Sequence, residues 1–403
     1  MVKLSIRRAF IGLLALMVPV VLAGSASGQG GLVITDLSGP RGLSANGSQM
    51  LIAEQGTGNV LRVTPQGTVS VIASGLPTST FDEMGTEVAT GVTTAIDVGG
   101  TIFATVGEAP GEAGFDSVYR ITPGHAPVLF ADLLAYEQAN NVDEDVDMAG
   151  EPELLINAYD LVSDNAGGVY VSTSGGNAIL QVAVDGTIST FAVFPNRPNP
   201  LFPNVGGPTM DQVPTGLEWG PDGALYVSTL TGFPFPNGEA LVYRVADGNA
   251  DGDAQDDGEV TVYAEGLTTA TNLVFDTDGS LLVTEFSTSM LEEAPGRLVR
   301  VTNGAISEVV AEPLISPTGV TIFDGQVIVT QEFLGIVAEA QEAAAITASL
   351  PAPAPEAGGG DISPPNTGDA GLAAASALSL TLLLAAVLAS VVLGAGVFVR
   401  VRR

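Results

Sequence analysis

Residues 247–257 carry oxygen-bearing side chains at alternate positions, with a glycine at the sixth. Carboxylate and amide oxygens are the ligands that calcium prefers, and glycine at this position permits the sharp turn of a calcium loop. The twelfth position departs from the EF-hand pattern, because Gly258 stands there and Glu259 follows. The departure either weakens calcium binding or shifts the last ligand, and a solvated acidic hairpin loop is the alternative. The candidate ligands are Asp247, Asn249, Asp251, Asp253 and Asp257.

Composition limits the other chemistry that the chain can perform. It has one histidine, His125, and no cysteine. Ordinary zinc sites and Ser–His or Cys–His nucleophiles depend on these residue types. We expect His125, which follows a Pro-Gly pair, to lie in an exposed turn with no catalytic role.

The chain is strongly acidic, with a formal net charge of -32 from 13 basic and 45 acidic residues. Such a charge repels nucleic acid and attracts divalent cations. We therefore expect no nucleic-acid partner.

The N-terminus has the three parts of a secretory signal peptide. Lys3, Arg7 and Arg8 precede an apolar run over residues 9–23, and small residues follow. The apolar run is too short for a stable membrane span. We predict a signal peptide over residues 1–26 and an exported protein.

The C-terminus predicts an anchor at the cell surface. Residues 370–399 carry no charge and are followed by a basic tail at 400–403, which is typical of a single transmembrane helix with a cytoplasmic end. Just before it, residues 364–368 resemble an LPxTG sorting signal through Pro365, Thr367 and Gly368, with proline in place of the leading leucine. Two outcomes stay open, namely cleavage by a sortase after Thr367 and retention of the helix.

Residues 338–369 are dominated by Ala, Pro, Gly and acidic residues. This composition buries too little apolar surface to fold. We predict a disordered stalk that holds the preceding domain away from the membrane.

Between residues 31 and 337 one unit of four short strands recurs six times. Its start is clear at residues 216–227, and its third strand alternates apolar, arginine and apolar residues, as a half-exposed strand requires. Repeats of this kind predict the blades of a β-propeller. The third strands with this arginine are residues 61–63, 119–121, 243–245 and 299–301.

The two ends of the repeat region are incomplete in complementary ways. The sixth unit passes through residues 327–329 and lacks a fourth strand, while residues 32–38 resemble the fourth strands at 69–76 and 260–267. We therefore predict an all-β, six-bladed propeller in which an N-terminal strand completes the last blade. Closure of this kind leaves no open sheet edge.

Several segments resemble the ScyD/ScyE family of secreted NHL-type propellers. They are residues 157–162, 177–180, 213–216 and 225–236, and the Leu-Thr-Gly-Phe-Pro-Phe-Pro stretch at 230–236 is the most specific. The likeness spans most of residues 31–335. It implies an exported six-bladed propeller, and it supplies no set of catalytic residues.

Six-bladed lactonases and gluconolactonase-like enzymes bind calcium in the central channel through Glu, Asn and Asp side chains. This sequence has Glu54 and Glu285 just after second strands, and Asp160 and Asn272 at the starts of first strands. The corresponding positions of the other blades are mostly neutral. These four residues are the candidates for a channel site, and a polar lining around water is the alternative.

Three functions are compatible with these features. The one we expect is a surface-anchored binding or scaffold module, stabilised by calcium, whose extracellular ligand the sequence does not identify. The alternatives are an extracellular calcium-dependent hydrolase of lactonase or esterase type and an accessory protein of exported pigment biosynthesis. The propeller fold hosts both binding and catalysis, so the fold does not decide among them.

Overall fold

The computed structural model describes residues 31–83, 86–109, 111–145 and 152–350. The predicted signal peptide, sorting motif, membrane segment and basic tail lie outside these residues. Within the described part of the chain, no helix has the length and apolar character needed to cross a membrane.

Six four-stranded antiparallel sheets, the blades of a propeller, are formed by the described residues. The chain begins with the short strand β1 (Val33–Ile34). Blade one consists of β2 (Pro40–Ala45), β3 (Met50–Glu54), β4 (Asn59–Val63) and β5 (Val69–Ala73). A hairpin of β6 (Ser79–Glu83) and β7 (Thr86–Thr90) leads to blade two, which consists of β8 (Val92–Val98), β9 (Thr101–Val106), β10 (Ser117–Ile121) and β11 (Val128–Asp132).

Helix α1 (Leu133–Asn140) follows blade two. Blade three consists of β12 (Ala158–Ser163), β13 (Val169–Thr173), β14 (Ala178–Val182) and β15 (Ile188–Val193). The short pair β16 (Arg197–Pro198) and β17 (Thr209–Met210) leads to blade four, which consists of β18 (Pro214–Trp219), β19 (Leu225–Thr229), β20 (Ala240–Val245) and β21 (Val260–Leu267).

Blade five consists of β22 (Ala270–Phe275), β23 (Leu281–Glu285), β24 (Gly296–Thr302) and β25 (Ala305–Leu314), with a 3₁₀ turn at Met290–Glu292. Blade six consists of β26 (Val320–Phe323), β27 (Gln326–Gln331) and β28 (Ile336–Glu339), with a 3₁₀ turn at Glu332–Leu334. Helix α2 (Ala340–Ser349) ends the described chain.

The first strands of the six blades contact one another around a closed cycle. In order, β2 contacts β8, β8 contacts β12, and the series continues through β18, β22 and β26 back to β2. A separate hydrophobic cluster fills each of the six interfaces between neighbouring blades. The core is therefore a ring of packed sheet faces around a central channel, and the prediction of six blades is confirmed.

Buried threonine hydroxyls tie neighbouring blades together beside the channel. Each lies at or near the start of a first strand and donates a hydrogen bond to a backbone carbonyl of the next blade. The bonds are 2.8–3.2 Å long and run from Thr93 to Ala158, from Thr215 to Ala270, from Thr271 to Pro317 and from Thr318 to Arg41. The last of them joins blade six to blade one.

The N-terminal strand closes the ring as predicted. Strand β1 pairs antiparallel with β28, placing Val33 opposite Ala338, and thereby becomes the fourth strand of blade six. The pairing continues past the strand, because Leu32 accepts a 2.7 Å hydrogen bond from the Glu339 amide. The regular strand is shorter than the predicted segment 32–38, since only residues 33–34 keep ladder geometry.

The structure corrects the predicted start of the disordered stalk at residue 338. Strand β28 extends to Glu339, and α2 continues the folded unit to Ser349. Alanine is the strongest helix former, and the Glu339 carboxylate caps the first turn. Ala343 is fully buried, and its carbonyl accepts a 3.0 Å hydrogen bond from Gln331. Small side chains therefore allow this helix to pack closely against blades five and six, although the composition of the segment suggested a stalk.

Candidate ligand site in the propeller channel

Two large side chains replace threonine at the start of first strands and meet inside the channel. Arg41 is the second residue of β2, and Tyr159 is the second residue of β12. The guanidinium carbon of Arg41 lies 4.5 Å from the centroid of the Tyr159 ring, which is a cation–π contact. Both side chains are buried, and Arg41 also donates a 3.4 Å hydrogen bond to Gln55. Gln55 in turn donates to the buried carboxylate of Glu332 at 2.5 Å.

Asp160 and Asn272, two of the four candidates predicted for a channel site, lie in contact with each other in the channel. The Asn272 amide donates a 3.0 Å hydrogen bond to Oδ2 of Asp160. The same carboxylate accepts from the backbone amides of Leu217 at 3.0 Å and Leu161 at 2.9 Å. Burial raises the pKa of Asp160 to about 6, while these hydrogen bonds oppose the rise. Asp160 therefore links three blades through a carboxylate that is largely occupied by N–H donors.

Glu54, by contrast, contacts its own blade and the connection leading into it. One carboxylate oxygen accepts a 2.8 Å hydrogen bond from the Ser38 amide, just before β2. The other accepts from the Thr57 hydroxyl and, at 3.2 Å, from the Asn59 amide.

Glu285 has the same role in blade five. It accepts hydrogen bonds of 2.5 Å from the Thr268 amide and from Arg297. Burial raises the pKa of Glu285, and Arg297 partly offsets this effect. Gln331 repeats the pattern in blade six, where it accepts from the Ile315 amide at 2.6 Å. Side chains at this position therefore fix the entry to the first strand, and Glu54 and Glu285 are not brought together with Asp160 and Asn272.

The mouth of the channel holds a pocket of about 280 Å³ that all six first strands line. Its carboxyl groups are Asp97, Asp160 and Glu218, and none of the described residues that line it is Lys, Arg or His. Asp97 accepts hydrogen bonds from Gln49 at 2.9 Å and from the Gly100 amide at 2.7 Å. Aliphatic side chains supply much of the remaining wall.

Glu218, like Asp97, lines this pocket but was not among the residues predicted from the sequence. It is the fifth residue of β18, and its side chain has no hydrogen-bond or ion-pair partner among the residues the structure describes. Burial raises its pKa to about 8, and the neighbouring Asp160 charge adds to the rise. The sequence did contain a signal for Glu218, because the equivalent residues of the other five blades are uncharged. These are Ser44, Ile96, Val162, Val274 and Thr321.

The predicted calcium loop connects β20 to β21 in blade four. Asp247 accepts hydrogen bonds from the Ala250 amide at 2.6 Å and the Gly252 amide at 3.0 Å. Asn249 donates to Asp251 at 2.9 Å. The turn thus has the compact shape of a calcium loop, but its side-chain oxygens satisfy the loop's own N–H groups.

Glu259, one position beyond the expected twelfth residue, turns into this loop and is buried. Its two oxygens accept from the amides of Gly248 at 2.7 Å and Asp256 at 3.0 Å. An oxygen-only donor set suits calcium. Within the described ranges, however, no three Asp, Glu or His side chains converge closely enough to hold a metal ion.

Comparison with protein-family models gave no match, and comparison with curated proteins gave none either. Solved structures do match. Virginiamycin B lyase from Staphylococcus aureus is 14% identical over 77% of this chain and 98% of its own, with a TM-score of 0.45. A gluconolactonase from Xanthomonas campestris is 14% identical over 77% of this chain and 89% of its own, with a TM-score of 0.48.

The calcium-binding protein regucalcin from Agrobacterium tumefaciens is 12% identical over 76% of this chain and 90% of its own, with a TM-score of 0.47. The six four-stranded sheets and the closed cycle of first strands make the chain a six-bladed β-propeller.

Proposed function

We propose that this chain is an exported, surface-tethered propeller that binds a ligand at the mouth of its channel and performs no hydrolysis there. The observation that carries the proposal is that the Asp160 carboxylate already accepts several hydrogen bonds. A carboxylate offers about four acceptor positions, and three N–H donors already occupy this one. An open pocket lined by all six blades lies directly above it.

The alternative, a calcium-dependent lactonase or esterase, needs several ligands with free oxygens around one ion. Of the four candidates, Glu54 and Glu285 accept hydrogen bonds from their own blades and from the connections before them. Asp160 and Asn272 satisfy each other and the backbone of neighbouring first strands. These contacts favour binding over metal-assisted hydrolysis.

The proposed localisation at the cell surface depends on the two ends of the chain. The signal peptide at residues 1–26, the sorting motif at 364–368 and the apolar segment at 370–399 support export and surface attachment. The resemblance to ScyD/ScyE proteins supports a secreted propeller. The part of the chain up to Ser349 would be displayed outside the membrane on the remaining linker.

Calcium enters the proposal as a structural ion in the loop of blade four. The oxygen donors at residues 247–253 and the inward-facing Glu259 support it. Binding would require the side-chain oxygens to exchange N–H donors of the loop for the ion, so we expect modest affinity.

The test for hydrolysis uses the purified full chain in the presence of calcium and a panel of lactones and aryl esters. We expect no turnover above that of the Asp160→Asn variant. Calcium-dependent turnover that Asp160→Asn and Asn272→Ala both abolish would overturn the proposal. Surface display is checked separately, by adding protease to intact cells that produce the full chain, and protection of the propeller would contradict it.

A further inference from the structure

The pocket at the channel mouth combines apolar walls with three carboxyl groups. Leucine, isoleucine and valine side chains from the first strands surround it, and its three carboxyl groups face no cationic side chain among the described lining residues. Pockets of this size accept small organic molecules, whose polar groups are oriented by a few convergent side chains. A ligand with a positive charge would therefore stabilise the ionised form of these carboxyl groups.

Glu218 is the carboxyl group best placed to meet such a ligand. Asp97 and Asp160 already accept hydrogen bonds, whereas Glu218 has no partner in the described structure. The titratable groups on the strands packed against β18 are Tyr159 and Asp160 on β12, Tyr170 on β13 and Tyr226 on β19. Tyr170 and Tyr226 belong to the hydrophobic clusters between blades, and Tyr159 stacks on Arg41, which does not line the pocket.

The arrangement of oxygen ligands in the pocket favours an organic cation over a metal ion. Calcium takes six to eight oxygen ligands. Here Glu218 is one free carboxylate, Asp160 is largely occupied, and no three acidic side chains of the described chain form a metal cluster. An ammonium group needs only a few acceptors, and an attached hydrocarbon chain would bury apolar surface against the walls.

We propose that the channel mouth binds a small amphipathic primary amine, whose ammonium group pairs with Glu218 while its hydrocarbon part packs on the aliphatic walls. This inference rests on the proposed function, since it takes the mouth as the ligand-binding surface, and it adds the chemical class of the ligand.

The tryptophan of this chain provides a reporter for the site. Trp219 is the only tryptophan and directly follows Glu218. Its indole N–H donates a 2.8 Å hydrogen bond to the carbonyl of Ser163, a residue that lines the pocket. Occupation of the mouth should therefore change the fluorescence of Trp219.

The experiment titrates the full chain with hexylamine, hexanol and hexanoate, followed by Trp219 fluorescence and calorimetry. The three probes share the hydrocarbon chain and differ in charge. We expect hexylammonium to bind at least tenfold more tightly than hexanol, and hexanoate not to bind. The E218Q variant should lose at least tenfold in affinity for hexylammonium, while the control Glu292→Gln, at an exposed site, should leave it unchanged.

Proton linkage gives a readout that a merely structural role of Glu218 would not produce. Its pKa is about 8, so most of the carboxyl population is protonated at neutral pH. Pairing with an ammonium group favours the ionised form, so binding should release a proton and should strengthen as the pH rises towards 8. Calorimetry in two buffers of different ionisation enthalpy measures this release, which E218Q should remove.

Equal binding of hexanol and hexylammonium by the unaltered chain would overturn the amine assignment, and so would an unchanged affinity in folded E218Q. Competition by calcium at millimolar concentration that abolishes amine binding would also overturn it, in favour of a metal site. The proposed function fails by a different result, namely calcium-dependent hydrolysis, so the two failures are distinguishable.

Discussion

The guanidinium group of Arg41 stacks on the ring of Tyr159 across the channel, from blade one to blade three. The pair is buried, and burial raises the pKa of the nearby Glu332, an effect that the positive charge of Arg41 partly offsets. The two residues occupy a position where four other blades have threonine. They thus replace a link between adjacent blades with a contact across the ring.

The Arg41→Met variant should destabilise the propeller by about 2 kcal/mol or more, because it removes a desolvated cation–π contact and leaves Glu332 without a nearby cation. Urea unfolding measures the change in the free energy of unfolding. A second substitution, Glu332→Gln, should restore part of the loss. The matched control is Arg120→Met on the exposed side of β10, for which we expect less than about 1 kcal/mol. Equal losses of unfolding free energy in the two variants would contradict the proposed stabilising role of Arg41.

Stability should fall as the pH rises from about 5 to about 8. Burial raises the pKa values of Asp116, Glu137 and Asp211 to about 7, well above the values of unfolded carboxyl groups. Between the unfolded and folded pKa values the native state binds more protons than the unfolded state, so raising the pH favours unfolding. Melting temperatures measured across this range should decrease, and a flat or rising profile would refute the prediction.

Glu137 on α1 allows this pH dependence to be assigned to a residue. Its side chain is fully buried, and one carboxylate oxygen has no partner among the described residues. The Glu137→Gln variant should be more stable than the unaltered protein at about pH 8, by on the order of 1 kcal/mol, and should show a shallower pH profile. The control Asp324→Asn, at an exposed turn, should leave the slope unchanged.

The closing strand should contribute strongly to stability although it has only two residues. Ile34 is buried in the cluster between blades six and one. The Ile34→Ala variant should cost about 2–4 kcal/mol, and the Glu339 amide, which is bonded to Leu32, should exchange faster with solvent. Thr35→Ala, next to it and exposed, serves as the control. If Ile34→Ala matched this control, the strand would not be what holds the ring closed.

Calcium should raise the melting temperature of the full chain by several degrees, since an ion that binds the native state stabilises it by mass action. Chelator should reverse the shift. Asp251→Ala should abolish it, whereas Glu285→Ala, which lowers stability by releasing Arg297, should leave the shift intact. Loss of the shift in Glu285→Ala alone would place the ion in the channel, and absence of any shift would refute calcium binding.

Much of the architecture could be predicted from local patterns. The period of the repeat predicted six blades, and the orphan strand near Val33 predicted the closure. The pattern also placed Asp160 and Asn272 on first strands, which converge in any propeller. The boundary at residue 338 was wrong, because composition shows that a segment is rich in alanine but not that blades five and six together offer a surface on which an alanine helix can pack.

The sequence by itself determined the fold and the strands that carry each candidate residue, because strand periodicity and turn residues are local properties of the chain. Only the tertiary structure decided which side chains share an environment. Glu54 and Glu285 accept hydrogen bonds from their own blades and the connections before them, while the Glu218 side chain has no partner among the described residues, in a pocket lined by strands from all six blades. Burial and charge compensation depend on neighbours that are distant in the sequence, so no local pattern could reveal them.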